Sequence, residues 1–474
     1  MTDGARSRER QDPASGTAAP EDRELEVRED SARAEDSSTD DRTPRARRYS
    51  VLLESLVIFM ACWVIAMLRM GSSGLRGVMW AEDGQIVLQD AFTGHGFWAI
   101  FVPYAGYAIV PPRLVGVLVS FLPISAQGVA VVGSAVALQA AIAVFAFHVV
   151  LNQSHRRLAG LIVALSVAAV PQGLEVEGVL VSVQWYLVFA ACIAPLWRPR
   201  TRFGRAASIV VLTSLSLNNP LGLVPVGVAG IAWLFRRGRY RLTLFLVGVG
   251  CSIIQLVIMS MAPPRTHRIV LQFNPILVTI AYVHRVAGDG VFGVGRYLLL
   301  QRTSGGPLPG LMVLLAVLVL FALAASVEGW KAILLPGALV ALSWVTFAVP
   351  IELTDMARDY NFNAGGRWCV GPTLLLTCAI TLLFVRAMEP YINAGYWRTV
   401  AYRMVAAGLL VAVAFGMVTT WAEPRLLRQG GSSWAAEVSR GRSECSQKSD
   451  QQVAVLDITP AAWTVTVPCA LLRS

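Results

Sequence analysis

The sequence predicts an all-α polytopic membrane protein of about eleven transmembrane helices, with interfacial helices in its first outer loop and a small extracytoplasmic C-terminal β cap. Three observations predict it. Of the 474 residues, 55% are hydrophobic and only 15% charged, whereas a soluble domain carries about 25% charged residues. Apolar runs recur along the chain at roughly the 17–25 residues a helix needs to cross the hydrocarbon. The net charge of +10 collects in short loops between those runs, as the positive-inside rule requires. That placement removes nucleic acid as the reason for the basicity.

Residues 1–49 carry 10 Arg against 13 Asp and Glu. The stretch 1–48 lacks hydrophobic periodicity and reads as a disordered cytoplasmic tail. The first apolar segment, 50–69, follows "RARRYS" and serves as an uncleaved anchor with the N-terminus inside. Segments at 126–150, 158–172 and 179–196 come next. The run 206–235 is long for one span and has Arg clusters at both ends, so two short helices folded at Asn218-Asn219-Pro220 are expected. Further segments lie at 242–262, 308–327, 332–350, 368–386 and 404–421. Alternation then places 155–157, 198–205 and 236–241 in the cytoplasm, and 70–125, 263–306, 351–367 and 422–474 outside.

The transmembrane domain therefore covers 49–421 and an extracytoplasmic cap covers 422–474. In the cap, "VAVLDI" and "WTVTVP" alternate apolar and polar residues and read as two strands around Pro460. Cys445 and Cys469 lie in this polar, oxidising setting and are expected to form a disulfide. The other five Cys sit in or beside apolar runs as small core residues. The absence of CxxC and Cys/His clusters argues against a zinc site.

The most informative stretch is "MWAEDGQIVLQDAFTGHGFWAIFVPYAGYAIVPPRL", Met79–Leu114. Glu82 and Asp83 follow the first span, and an aromatic, Pro-interrupted segment suited to interfacial helices follows them. Arg113 lies on the same face, where a guanidinium can hold a phosphate bidentately. Further polar groups gather at segment ends: Glu175 and Glu177, Gln184 and Trp185, Arg358, Asp359 and Arg367.

A long loop directly after the first transmembrane helix, with an acidic pair and interfacial helices, resembles the GT-C superfamily of membrane glycosyltransferases. "WAEDG" with "PYAGY" and "PPRL" is also similar to a recurring group of bacterial membrane proteins of that type. The likeness covers 50–421 in layout; in sequence it is specific at 80–114 and looser at "SVQWY", "LNNP" and "ITPAAWTVTVPC". It implies a GT-C-like fold in the plasma membrane. It also implies transfer of a sugar from a polyprenyl-phosphate-linked donor to an envelope glycan or glycolipid acceptor on the outer face.

By that resemblance the family's acidic motif maps onto Glu82 and Asp83. Phosphate is a competent leaving group, so the chemistry needs a base for the acceptor hydroxyl and positive charge for the departing phosphate. A single displacement inverts the anomeric centre. Asp83 is the expected base, with Glu82 next, since neighbouring carboxylates raise one another's proton affinity. Arg113, Arg367, Arg265 and Arg268 are the candidates for the donor phosphate. Tyr104, Tyr107, Gln184, Trp185 and Glu177 are candidate substrate contacts, and a divalent metal stays an open option. Each has a plainer alternative: interfacial anchoring for the Arg and Tyr, a buried core position for Trp185, an ordinary loop for Glu177. The competing function is a transporter or flippase of lipid-linked sugars. It predicts mid-membrane charges on broken helices and paired halves, and neither is evident in the sequence.

Overall fold

The structure, a computed structural model, describes residues 44–261, 274–304, 306–353, 366–391, 395–421, 428 and 430–473, with backbone alone at 44–48, 93, 94, 174, 352 and 353. The described residues up to 56 and those from 57 onward fall into two units, and the motif loop, the helices from 110 onward and the C-terminal strands belong to the second. The chain is mostly helical. Among the described residues, seven helices are long and apolar enough to cross a membrane. Shorter apolar helices cover 110–120, 157–168, 181–196 and 220–235.

Helix α1, Pro44–Met70, is followed by the motif loop, which coils as π-helical Asp83–Leu88 and Ala91–His95 and 3-10 Gly96–Phe101. Short α2, Val110–Ser120, starts with two prolines in its first turn, where their missing N–H costs nothing. The stretch expected to form interfacial helices is thus a succession of short helical turns. Phe97, Trp98 and Phe101 stay exposed on it.

The bundle continues with α3, Gln127–Ser154; α4, Arg157–Ala168; and α5, Gln184–Ile193, which is framed by 3-10 turns at 181–183 and 194–196. The run 206–235 breaks where Asn218-Asn219-Pro220 stands. Helix α6, Arg202–Ser216, ends there and α7, Leu223–Phe235, begins after it. The Asn219 side chain accepts from the Leu221 N–H at 2.9 Å, the turn chemistry that stops one helix and starts the next.

Helix α8, Arg239–Met261, precedes the long stretch 263–306, which the sequence assigns to a loop on the outer side. Its described part is helical. Helix α9, Pro275–Tyr282, runs on through 283–292 and meets α10, Val294–Ser304, at a 118° bend. Gly293, at φ +81°, makes that bend beside Gly416 and Thr420. The Gly, His and Arg in this stretch masked an apolar face long enough for a broken span.

Four long helices complete the bundle: α11, Leu308–Glu328; α12, Leu334–Leu353; α13, Val370–Ala387; and α14, Tyr396–Thr419. In Gly366–Ala387, 94% of the apolar window is buried, against 22–28% for 239–261, 308–328 and 396–419. Helix α13 is therefore the centre of the bundle, and the other three turn their apolar sides outward, as lipid-facing helices do.

The helix ends assemble two polar faces. On the motif face, the Val110 N–H meets the Leu217 carbonyl at 3.0 Å, the Trp434 indole donates to Ile124 at 2.6 Å, and Thr419 donates to Phe292 at 3.3 Å. On the opposite face, Gln153 bonds Leu196, Arg156 pairs with Glu389 at 3.7 Å, and Arg386 pairs with Glu328 at 3.8 Å.

The C-terminal cap holds the two strands read from the alternation: β1, Val453–Ile458, antiparallel to β2, Trp463–Pro468, with Leu456 opposite Val465. Helix α15, Trp434–Cys445, precedes them, and a disulfide joins Cys445 to Cys469. The cap packs within the same unit as the bundle.

Candidate active site

The C-terminal cap clamps the motif from one side. Ala81 N–H donates to the Thr459 carbonyl at 2.7 Å, Thr459 N–H returns to Met79 at 3.0 Å, and Thr466 N–H meets the Gln89 side chain at 2.9 Å. Gly84 explains how closely the hairpin approaches. A Cβ there would stand 2.8 Å from both Ile458 and Val465, so the glycine of "WAEDG" is a packing requirement.

The adjacent carboxylates part company. Asp83 is 1% exposed, and its two oxygens accept the N–H groups of Leu180 and Val181 at 2.8 and 2.9 Å. Those amides open the 181–196 helical segment, so a residue about a hundred positions upstream caps it and complements its dipole. Burial pushes the Asp83 carboxyl up to about 7, against the pull of the two amides and of Arg428. Asp83, the expected base, is therefore closed off, with both oxygens accepting buried amides.

Glu82 points the other way. Its side chain is 15% exposed and lies 3.5 Å from the Arg367 guanidinium, which is 40% exposed. Arg367 also lies over the Trp368 ring at 5.8 Å. Tyr104 stands close to both charges; burial, then Glu82 and Tyr107, raise its hydroxyl to about 12. Tyr104 and Tyr107 bond one another through their backbones across a tight turn, their rings edge to face at 6.3 Å. Beneath this group, the 366–369 turn packs on 173–175 and 283–288. There Arg285 pairs with Asp289 at 3.2 Å.

Several expected contacts turn out to be scaffold. Arg113 is 1% exposed, 2.7 Å from Asp90, and donates to the Ile86 carbonyl at 3.2 Å. It ties α2 to the π-helical segment and has no open face for a donor phosphate. Glu177 is fully buried against Arg69 at 2.7 Å. Burial carries its carboxyl up to about 7, opposed by Arg69 and Arg428. Gln184 is buried and accepts from Asn219 at 3.0 Å. Trp185 is buried beside it, its indole N–H without a partner. Arg265 and Arg268, like Arg358 and Asp359, lie outside the described residues.

Two residues that the sequence did not single out hold the site together. Arg69, the last charge of α1, bonds the Ala168 and Val170 carbonyls at 3.3 and 3.2 Å as well as Glu177. Arg428 donates to the Val78 and Glu177 carbonyls and lies 5.5 Å from the Trp80 ring. Burial lowers its guanidinium to about 10, while Asp83 and Glu177 hold it up. The only signal in the sequence was one Arg at a span end and one in a polar tail, which composition cannot tell from snorkelling residues.

Among the described residues, no group of three or more His, Cys, Asp or Glu is placed to hold a metal ion. Glu82, Arg367 and Tyr104 stay partly reachable side by side, as do Tyr107 and, on the 173–175 turn beneath, Glu175. That set can take a proton, hold an anion and donate a hydrogen bond. No family model and no curated protein matches the chain.

Proposed function

We propose that the chain is a membrane glycosyltransferase that moves a sugar from a polyprenyl-phosphate donor to a cell-envelope glycan or lipid acceptor, with inversion. One observation carries the reading: of the acid and arginine candidates that lie in described residues, Glu82 and Arg367 keep open faces, adjacent to each other and to Tyr104. The exposed Phe97, Trp98 and Phe101 nearby suit a lip at lipid level, where a polyprenyl carrier would arrive.

In this reading Glu82 is the base. The acceptor oxygen bonds to the anomeric carbon as the bond from that carbon to the phosphate oxygen breaks. The acceptor proton passes to Glu82, and the phosphate leaves with the bonding electrons beside Arg367. Asp83, Arg428, Glu177 and Arg69 form the frame that fixes Glu82 rather than reacting. Counting the helices at 157–168, 181–196, 202–216 and 220–235 as crossings beside the seven long ones gives about eleven spans, a GT-C-like bundle with the motif face and the cap outside. The arginine-rich opposite face then lies in the cytoplasm of a bacterial cell.

The flippase alternative gains less support, because the pairs Arg69–Glu177, Arg113–Asp90, Arg367–Glu82 and Arg386–Glu328 sit at helix ends; Arg285–Asp289, inside the bent 275–304 helix, is the pair that speaks for it. The test is purified protein in proteoliposomes with polyprenyl-monophosphate hexoses and pentoses radiolabelled in the sugar, plus envelope lipid extract. Label leaving the carrier for a new product with inverted anomeric configuration is the expected result. Intact carrier moving between leaflets, with no transfer from any donor, would favour the transporter and overturn the enzyme.

A further inference from the structure

The face opposite the motif holds a basic hollow. The C-terminal end of the 181–196 segment, the start of α6 and the α7–α8 turn converge on a concavity of about 550 Å³. That volume suits a small ligand. Trp197, Arg198, Arg205, Arg236, Tyr240 and Arg241 line it, and no carboxylate is among the lining residues. Arg198 and Arg241 lie near enough to repel each other. Arg241 spends one nitrogen on the Arg236 carbonyl at 2.9 Å, and its buried Nε has no partner.

A generic positive-inside cluster explains basic residues in loops. It does not explain four guanidiniums drawn from three chain segments into one hollow without a counter-charge. Folding them together costs repulsion that an anion would relieve. Guanidinium forks match phosphate oxygens, and Trp197 and Tyr240 supply flat walls for the rest of a ligand. Phe203 and Phe235, neighbours in sequence of the lining arginines, are 82% and 85% exposed. Such phenylalanines suit insertion among acyl chains. We infer that this pocket binds the phosphate headgroup of an anionic membrane lipid, at the far end of the same helical segment whose first amides Asp83 caps.

The test uses the full-length chain in nanodiscs, with arginine footprinting by phenylglyoxal and mass spectrometry. Nanodiscs of phosphatidylcholine containing phosphatidic acid are compared with phosphatidylcholine alone and with added inorganic phosphate. Phosphatidic acid should protect Arg198, Arg205 and Arg236 at least tenfold over phosphatidylcholine. Arg237, which instead stacks on Trp233 at 4.5 Å and does not line the hollow, should gain little. In lipid-binding titrations, Arg205→Gln with Arg236→Gln should weaken phosphatidic acid retention about tenfold, whereas Arg237→Gln leaves it unchanged. Equal protection of Arg237, or equal loss in Arg237→Gln, would reduce the effect to surface charge and overturn the site. Equal protection by inorganic phosphate at matched concentration would overturn the lipid assignment in favour of a soluble anion. The footprint on the unsubstituted protein decides the matter even where the double variant folds poorly.

Discussion

Glu82 and Asp83 differ by one position and by nearly everything else. Successive residues on a helix point about 100° apart, so an adjacent pair at the edge of a bundle divides between inside and outside. Which one turns inward depends on the 180–181 amides, a partner no local pattern announces. The sequence therefore marked the pair and not the division of labour. Asp83 also makes a pH prediction. Burial raises its folded carboxyl to about 7 from an ordinary value of 3.8. Between those values the folded chain keeps a proton that the unfolded chain has released, so this group's contribution to stability falls as pH rises. In detergent, Tm should be lower at pH 8 than at pH 5, and Asp83→Asn should shrink that difference. An unchanged difference in the variant would show that Asp83 does not titrate in this window.

Among the elements, those with a local cause were legible. The 206–235 break follows from Asn218-Asn219-Pro220, and β1 and β2 from strict alternation; both stand in the structure. The 275–292 helix was not legible, because Gly, His and Arg dilute its hydropathy and its apolar face shows only against α11 and α12. Helix α15 was missed because its burial comes from Trp434 reaching Ile124, a contact with a segment about three hundred residues away. The cap's role follows from the same long-range pairing: it grips Met79 and Ala81 through Thr459. The Cys445–Cys469 link spans 24 residues, a loop whose closure stabilises by about 3 kcal/mol in the chain-entropy view. Cys445→Ser with Cys469→Ser should lower Tm by a few degrees and speed proteolysis between α15 and β1. Reductant should reproduce the loss in the natural sequence and add nothing in the variant. Identical melting of both proteins would mean that hydrogen bonds alone hold the cap.

At the scale of the whole molecule, the described helices place their polar ends on two faces joined by an apolar bundle centred on α13. Composition and charge alternation foresaw the two faces, since both follow from the cost of leaving charge in hydrocarbon. They could not foresee which arginines are spent. Arg113 and Arg69 are consumed in holding helices together; Arg367 remains at the surface with Glu82. Reachability decides the difference, and reachability is a property of the assembled chain. The proposed chemistry thus rests on one partly exposed carboxylate beside one exposed guanidinium, framed by buried pairs that do not react.

That division is tested most directly by sugar transfer from a polyprenyl-phosphate donor, measured with Tm on the same preparations of Glu82→Gln and Asp83→Asn. Glu82→Gln should lose at least about 100-fold in transfer, the scale of a missing general base, while melting like the natural protein. Asp83→Asn should melt earlier and keep measurable transfer below its Tm. Full transfer by Glu82→Gln, or abolished transfer with unchanged melting in Asp83→Asn, would contradict the assignment of Glu82 as base and Asp83 as frame.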